Sequence, residues 1–220
     1  MFPIAVLLAA LPASEWLGPP LRQDGYSVRP PAAFRMARMD LYAGTHVGAI
    51  SARLEAERFL SAALVDGDGE DAASMLVAVI DSDFVPSAGG RDELSTAVVK
   101  HFAESLEMAF ALDHAKWQEG RVPRVEVLGH IRQGSQLRQL WVTAFEGEGR
   151  HTVITFSVPS GKWEALLPAM AASLDSYRVE LGSKAVGARG VTWALTALIV
   201  SGLLVLIAVA RARKASADNP

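Results

Sequence analysis

The chain has 220 residues, half of them apolar, with 21 basic against 24 acidic side chains, a formal net charge of −3, and no cysteine. The missing cysteine excludes disulfides, thiolate metal sites, a Cys nucleophile and a lipid-modified N-terminal Cys. The balanced charge argues against a nucleic-acid partner, which a basic face would normally announce.

In chain order, Phe2 to Leu11 is an apolar run that ends in Pro12, Ala13 and Ser14. An apolar stretch closed by small residues reads as a short secretory signal over residues 1–13, the alternative being a first helix or strand packed on the domain. Residues 14–24, with Pro19 and Pro20, read as a lead-in without periodicity, so the domain is expected to begin at Gly25 and run to about residue 180. Tyr26 to Arg29 alternate and stop at Pro30 and Pro31, which suits a short strand closed by residues unable to donate to a ladder. Further β-like runs follow at Arg38 to Tyr42, His46 to Glu55, Phe59 to Val65 and Ser74 to Ile80. Between the last two, Asp66 to Asp71 supplies the Asp and Gly of a hairpin turn. That turn fails as a calcium loop, since Asp71 stands where the turn glycine belongs and Val77 where the bidentate Glu belongs.

Arg91 to Leu112 has helical period: Leu94, Val98, Val99, Phe102, Leu106, Ala109 and Phe110 fall within an arc of about 160° at 100° per residue. Val122 to Ile131, Gln136 to Phe145 and Thr152 to Val158 then read as three strands of an antiparallel meander, broken at Gln133-Gly134-Ser135 and Glu146 to Gly149. Lys162 to Tyr177 closes the domain as a second helix, with Trp163, Leu166, Leu167, Met170, Leu174 and Tyr177 on one face. Residues 181–190 form a glycine-containing linker.

Val191 to Ala210 then offers twenty residues without a charge, about 30 Å as a helix, the thickness of a bilayer's hydrocarbon core. Trp193 supplies an interfacial aromatic at one end, and Arg211, Arg213 and Lys214 a basic stop at the other. The span reads as a membrane anchor, and the tail 211–220 as cytoplasmic. The span contains no ionisable residue with which to conduct or relay anything.

The order of strands, long helix, three-strand meander and closing helix resembles the PsbP-like fold of photosystem extrinsic subunits, Mog-type proteins and DcrB-type bacterial envelope proteins. The local wording agrees over about residues 22–180. Gly25-Tyr26-Ser27-Val28-Arg29-Pro30-Pro31 looks like the first strand and its proline exit, while Thr155 to Pro159, Trp163 to Leu174 and Ser176-Tyr177-Arg178 look like the last strand and helix. The resemblance implies an α+β fold in which an antiparallel β-sheet is sandwiched by helices, here with one C-terminal transmembrane helix added. It also implies a binding or assembly module, and it carries no active site to transfer.

Motifs that carry chemistry are scarce in this chain. His46, His101, His114, His130 and His151 form no pair at metal-ligand spacing, and no nucleophile elbow, phosphate loop or dinucleotide motif occurs. Ser160-Gly161-Lys162 reads as the start of the closing helix. Asp81 and Asp83 read as a strand end, and Trp117 and Trp141 as groove or core aromatics, with core favoured for Trp141 by its apolar neighbours. No catalytic, cofactor or metal residue is assigned. The expected partners are the lipid bilayer and a protein of unspecified kind. The sequence thus predicts a non-catalytic, single-pass module on the outer side of a bacterial cytoplasmic membrane. Two other readings stay open: a small-molecule-binding or hydrolytic domain with its site between the sheet and the Arg91 to Leu112 helix, and a tail-anchored cytoplasmic protein.

Overall fold

The computed structural model describes residues 16–38, 59–80, 110–119, 121–133, 136–146 and 151–180, with single positions at 42, 45, 48, 51, 52, 54, 55, 92, 95 and 96. The domain is built on a seven-stranded sheet in the order β3-β4-β5-β9-β8-β7-β6, every pair antiparallel. Its strands are β3 (Arg35–Met36), β4 (Leu60–Asp66), β5 (Ala73–Ile80), β6 (Phe110–Gln118), β7 (Arg124–Gln133), β8 (Gln136–Glu146) and β9 (His151–Pro159). A second, three-stranded sheet joins β1 (Leu21–Gln23), β2 (Tyr26–Val28) and β10 (Arg178–Val179), with β2 in the middle. One helix with defined bounds, α1 (Trp163–Asp175), follows a 3-10 turn at Ser160–Lys162.

Strand alternation sends side chains to two cores, because successive residues of a strand point to opposite faces. One face collects Ala63, Val65, Leu76, Ile80, Val125, Val127, Leu140 and Val142. The other collects Met75, Val77, Trp141, Ile154, Phe156 and Val158, which meet Met170 and Leu174 of α1 and Tyr26 and Val28 of β2. The small sheet and α1 therefore cover the same face of the large sheet. Ser176 fastens them together: its Oγ accepts from the Arg29 backbone N–H at 2.8 Å and donates to the Ser173 carbonyl at 2.6 Å, where the helix ends.

The meander β7-β8-β9, the β4-β5 hairpin around residues 66–71 and the closing helix all stand where the sequence put them. Four expectations change. The lead-in carries strand β1, which pairs with β2 through Asp24 and Gly25, both at positive φ (47° and 84°), as a two-residue type I′ turn requires. The β-like run at His46 to Glu55 is helical at Gly48, Ser51, Ala52, Leu54 and Glu55, where Ser51 and Leu54 are buried and Ala52 and Glu55 exposed, a spacing of three that belongs to a helix. Of the run at Arg38 to Tyr42 the two described residues, Arg38 and Tyr42, are not in a strand, Tyr42 sitting in a turn closed by a bond from the Thr45 N–H; a strand stands just before it at Arg35–Met36, and residues 39–41 lie outside the described residues. The helix expected over Arg91 to Leu112 is helical at Asp92, Ser95 and Thr96, but its last residues Phe110, Ala111 and Leu112 are the start of β6. Pairing with β7 overrides the helical apolar pattern there. The remainder of that segment lies outside the described residues.

Candidate functional site

On the face shared with α1, the β6-β7-β8 end of the sheet carries charge. Register places Lys116 opposite Glu126 and Glu126 opposite Thr143, so these side chains rise side by side from three neighbouring strands. Glu126 has no exposed surface. Its Oε1 accepts from Arg124 Nε at 2.6 Å, and its Oε2 accepts from Lys116 Nζ at 3.2 Å and from the Trp141 indole N–H at 3.2 Å. A buried carboxylate is tolerated only when its charge is paired and its lone pairs are bonded, and three donors meet that requirement here.

Arg124 extends the cluster to the helix. Its Nη1 reaches Asp175 Oδ1 at 2.8 Å on the last residue of α1, and its guanidinium carbon lies 5.9 Å from the Phe145 ring centroid. Phe145 stacks on Tyr177 at 4.0 Å, and Tyr177 faces Tyr26 at 6.3 Å, so charge cluster, aromatic column and small sheet are continuous. Burial pushes the Tyr26 hydroxyl up to about 12, against the opposing hydrogen bond to Ser61 Oγ at 2.9 Å. Burial also raises Tyr177, whose hydroxyl bonds Thr152 Oγ1 at 2.8 Å.

On the same edge strand, toward the N-terminal end of β6 from Lys116, Asp113 occupies a β-bulge between Leu112 and His114 and contacts His130 Nδ1 at 3.1 Å. Both side chains are substantially exposed. An Asp–His pair orients an imidazole, but general acid–base work also needs a reacting group within hydrogen-bond reach of the other ring nitrogen. Among the described residues no group of three or more His, Asp or Glu is placed to hold a metal ion.

A second buried charge, Arg138, serves the opposite face. Burial pulls its guanidinium down to about 10 while the Asp71 and Glu70 carboxylates oppose that shift. It donates from Nη1 to the Glu70 carbonyl and from Nη2 to the Ala72 carbonyl, both at 2.6 Å, and from Nε to Ser157 Oγ at 3.1 Å. Lys162 Nζ adds a bond to the Asp71 carbonyl at 2.9 Å, and Gln136 Nε2 one to Asp71 Oδ1 at 2.9 Å. The acidic turn is thus clamped to the sheet by donors from β8 and from the turn before α1.

The sequence-level candidates scatter across this structure. Trp141 lies in the core with its N–H on Glu126, while Trp117 is half-buried against the core of the other face. His114 is exposed, His151 is buried, and His46, His101, Asp81 and Asp83 lie outside the described residues. So do the signal-like run Phe2 to Leu11 and the anchor residues Val191, Trp193, Ala210, Arg211, Arg213 and Lys214. Among the described residues no helix is long and apolar enough to cross a membrane. Sequence reasoning missed Glu126 and Arg138. The only signal for either was a charged residue inside an otherwise alternating strand.

Together these features define an α+β domain dominated by antiparallel sheet, with two internally satisfied buried charges. No protein-family model and no curated protein matches the sequence. Among solved structures, cyanobacterial PsbP (CyanoP) from Synechocystis sp. PCC 6803 is similar, with a TM-score of 0.52 at 11% identity, covering 70% of this chain and 86% of that one. LpqN of Mycobacterium tuberculosis, described as involved in cell envelope biogenesis, has a TM-score of 0.46 at 10% identity, covering 74% of this chain and 90% of that one. PA94 of Pseudomonas aeruginosa has a TM-score of 0.40 at 10% identity, covering 79% and 98%. The likeness to CyanoP identifies the fold as PsbP-like and shows nothing beyond the fold.

Proposed function

We propose that this chain is a single-pass, membrane-anchored PsbP-like domain that acts as a non-catalytic interaction or assembly module on the outer side of a bacterial cytoplasmic membrane. The observation that carries the reading is the uncharged run Val191 to Ala210, bounded by Trp193 and by Arg211, Arg213 and Lys214, at the end of a domain whose buried charges are spent on its own architecture. The apolar run at Phe2 to Leu11 supports export of the domain, and the linker 181–190 tethers it within about 35 Å of the bilayer, at most about 3.5 Å per residue.

Reporter enzymes fused after Pro220 test the orientation. The reading predicts activity from a cytoplasm-active reporter alone; activity from a periplasm-active reporter alone overturns it. Mass spectrometry of the mature N-terminus separates the tail-anchored cytoplasmic alternative, which predicts retention of Met1 or Phe2.

A further inference from the structure

Among the described residues the large sheet ends on one side at β3, two residues long, and on the other at β6, nine residues long. Within those residues Ala111 to Gln118 make no backbone hydrogen bond outside the ladder with β7, so the outward N–H and C=O groups of β6 form an open edge. Its side chains sort onto two faces. Lys116 meets Glu126 and Asp113 meets His130, which sets both on the α1 side. Ala115 and Trp117 pack with the core of the other side, and Leu112, opposite Gly129, shares their face. Asp113 and His114 together fill one position of the ladder, because Leu112 faces Gly129 while His114 faces the adjacent Leu128. Counted that way, the strand reads apolar, acidic, small, basic, apolar at Leu112, Asp113, Ala115, Lys116 and Trp117. Reversed about Ala115, that pattern is its own complement. Leu112 is 43% exposed, and the Asp113 and Lys116 side chains are 44% and 47% exposed, so all three keep surface for a partner.

We propose that β6 pairs antiparallel with β6 of a second copy of this chain, about a two-fold axis at Ala115, joining the two large sheets edge to edge. A two-fold between strand edges demands an antiparallel, self-matching strand, and this one meets the demand. Asp113 then faces Lys116 of the second copy on the α1 side, and Leu112 faces Trp117 of the second copy on the other side. Symmetry repeats each contact, giving two opposite-charge pairs and two apolar pairs. Ala115 faces itself, where its small side chain lets the strands close. Moving the axis one position either way sets Lys116 against Lys116 or Asp113 against Asp113, so charge selects this register. A lysine and a bulge commonly guard an edge against foreign strands, and here both are matched by the same strand turned round. The pairing rests on the β6 register and holds with or without the membrane anchor.

The absence of native cysteine permits a direct test on the full chain in detergent micelles. Ala115→Cys sets two thiols opposite each other, with Cβ atoms about 4.5–5.5 Å apart and near the span of a disulfide. Gln118→Cys sets them about 20 Å apart. Oxidation with diamide should therefore yield a covalent dimer from Ala115→Cys, and none from Gln118→Cys or Ala111→Cys alone. A mixture of the Gln118→Cys and Ala111→Cys chains should crosslink, since these exposed positions face one another in the proposed register. Asp113→Lys replaces two opposite-charge contacts by two like-charge ones and should weaken association about 30-fold in sedimentation velocity, with unchanged far-ultraviolet circular dichroism. Equal crosslinking at 115 and 118 marks random collision within micelles and overturns the pairing, as does the lack of a crosslink at 115. Crosslinking at 118 alone overturns the register, and association unchanged by Asp113→Lys overturns the charge match.

Discussion

Replacing Arg138 by Met keeps most of the side-chain volume and removes the guanidinium, which tests whether a buried cation can hold a sheet together through neutral acceptors, chiefly backbone carbonyls. In the native chain Arg138 is fully buried and makes two 2.6 Å bonds to the Glu70 and Ala72 carbonyls, plus longer ones to Ser157 Oγ and the Ser157 carbonyl at 3.1 Å each. A carbonyl left unbonded in a dry site costs about 1–3 kcal/mol; Ala72 has no exposed surface whereas Glu70 is exposed, so the Ala72 carbonyl sets a gross loss of about 1–3 kcal/mol and the Glu70 carbonyl can turn to water. Against this stands relief of the guanidinium's own desolvation, the force that pulls its pKa down to about 10. Buried ion pairs replaced whole by apolar residues are often neutral, but here the partners are backbone and stay behind. The expected net cost of Arg138→Met is about 1–2 kcal/mol, which at an m-value of about 2 kcal/mol/M lowers the urea midpoint by roughly 0.5–1 M. Arg138→Lys, which retains the charge but offers a single nitrogen, should fall between. An unchanged or raised midpoint for Arg138→Met, with unchanged m, would refute the claim that these bonds outweigh the burial of the charge.

The ion-pair cluster makes an asymmetric prediction: Glu126→Gln removes the buried carboxylate from three donors and should cost about 2–4 kcal/mol, whereas Lys116→Met removes a half-exposed partner and should cost under about 1 kcal/mol. Equal urea midpoints for the two variants would contradict this. Alkaline titration supplies a second check, because all three tyrosines, Tyr26, Tyr42 and Tyr177, have raised pKa values caused chiefly by burial. A folded pKa above the unfolded value means that the unfolded chain loses its proton first, so the stabilisation is complete below about pH 10 and is lost as pH rises toward about 12. Tyr26 alone should remove roughly 2–3 kcal/mol of stability across that window. Tyrosinate absorbance of the native chain should stay low at pH 10 while the urea-unfolded chain is half ionised; coincident titration curves would sink the reading.

What could be read from the sequence followed from patterns that are local. The meander β7-β8-β9 announced itself through alternation and glycine-bearing breaks, and α1 through its apolar face. The β1-β2 hairpin was also legible in principle, since Asp24-Gly25 between Leu21-Arg22-Gln23 and Tyr26-Ser27-Val28 is a two-residue turn signal between short strands. Strand β6 was not legible: Ala111, Asp113, His114, Lys116 and Gln118 are exposed, and only register with β7 makes the segment extended. The charged cluster was hidden for a related reason. Glu126 looks like a solvated residue on an alternating strand until the sheet places Lys116 and Trp141 on either side of it and Arg124 two residues away on the same face. Long-range pairing, which a single sequence does not display, decides both.

In the proposed topology the domain and the basic tail lie on opposite sides of a membrane. Single cysteines in the otherwise cysteine-free full chain test it, one at Gln118→Cys on the exposed β6 edge and one at Ser216→Cys in the tail, challenged in cells with an opened outer envelope by a membrane-impermeant maleimide. That topology predicts labelling at position 118 before lysis and at position 216 only after detergent. Labelling at 216 with protection at 118, or protection of both until lysis, would contradict it.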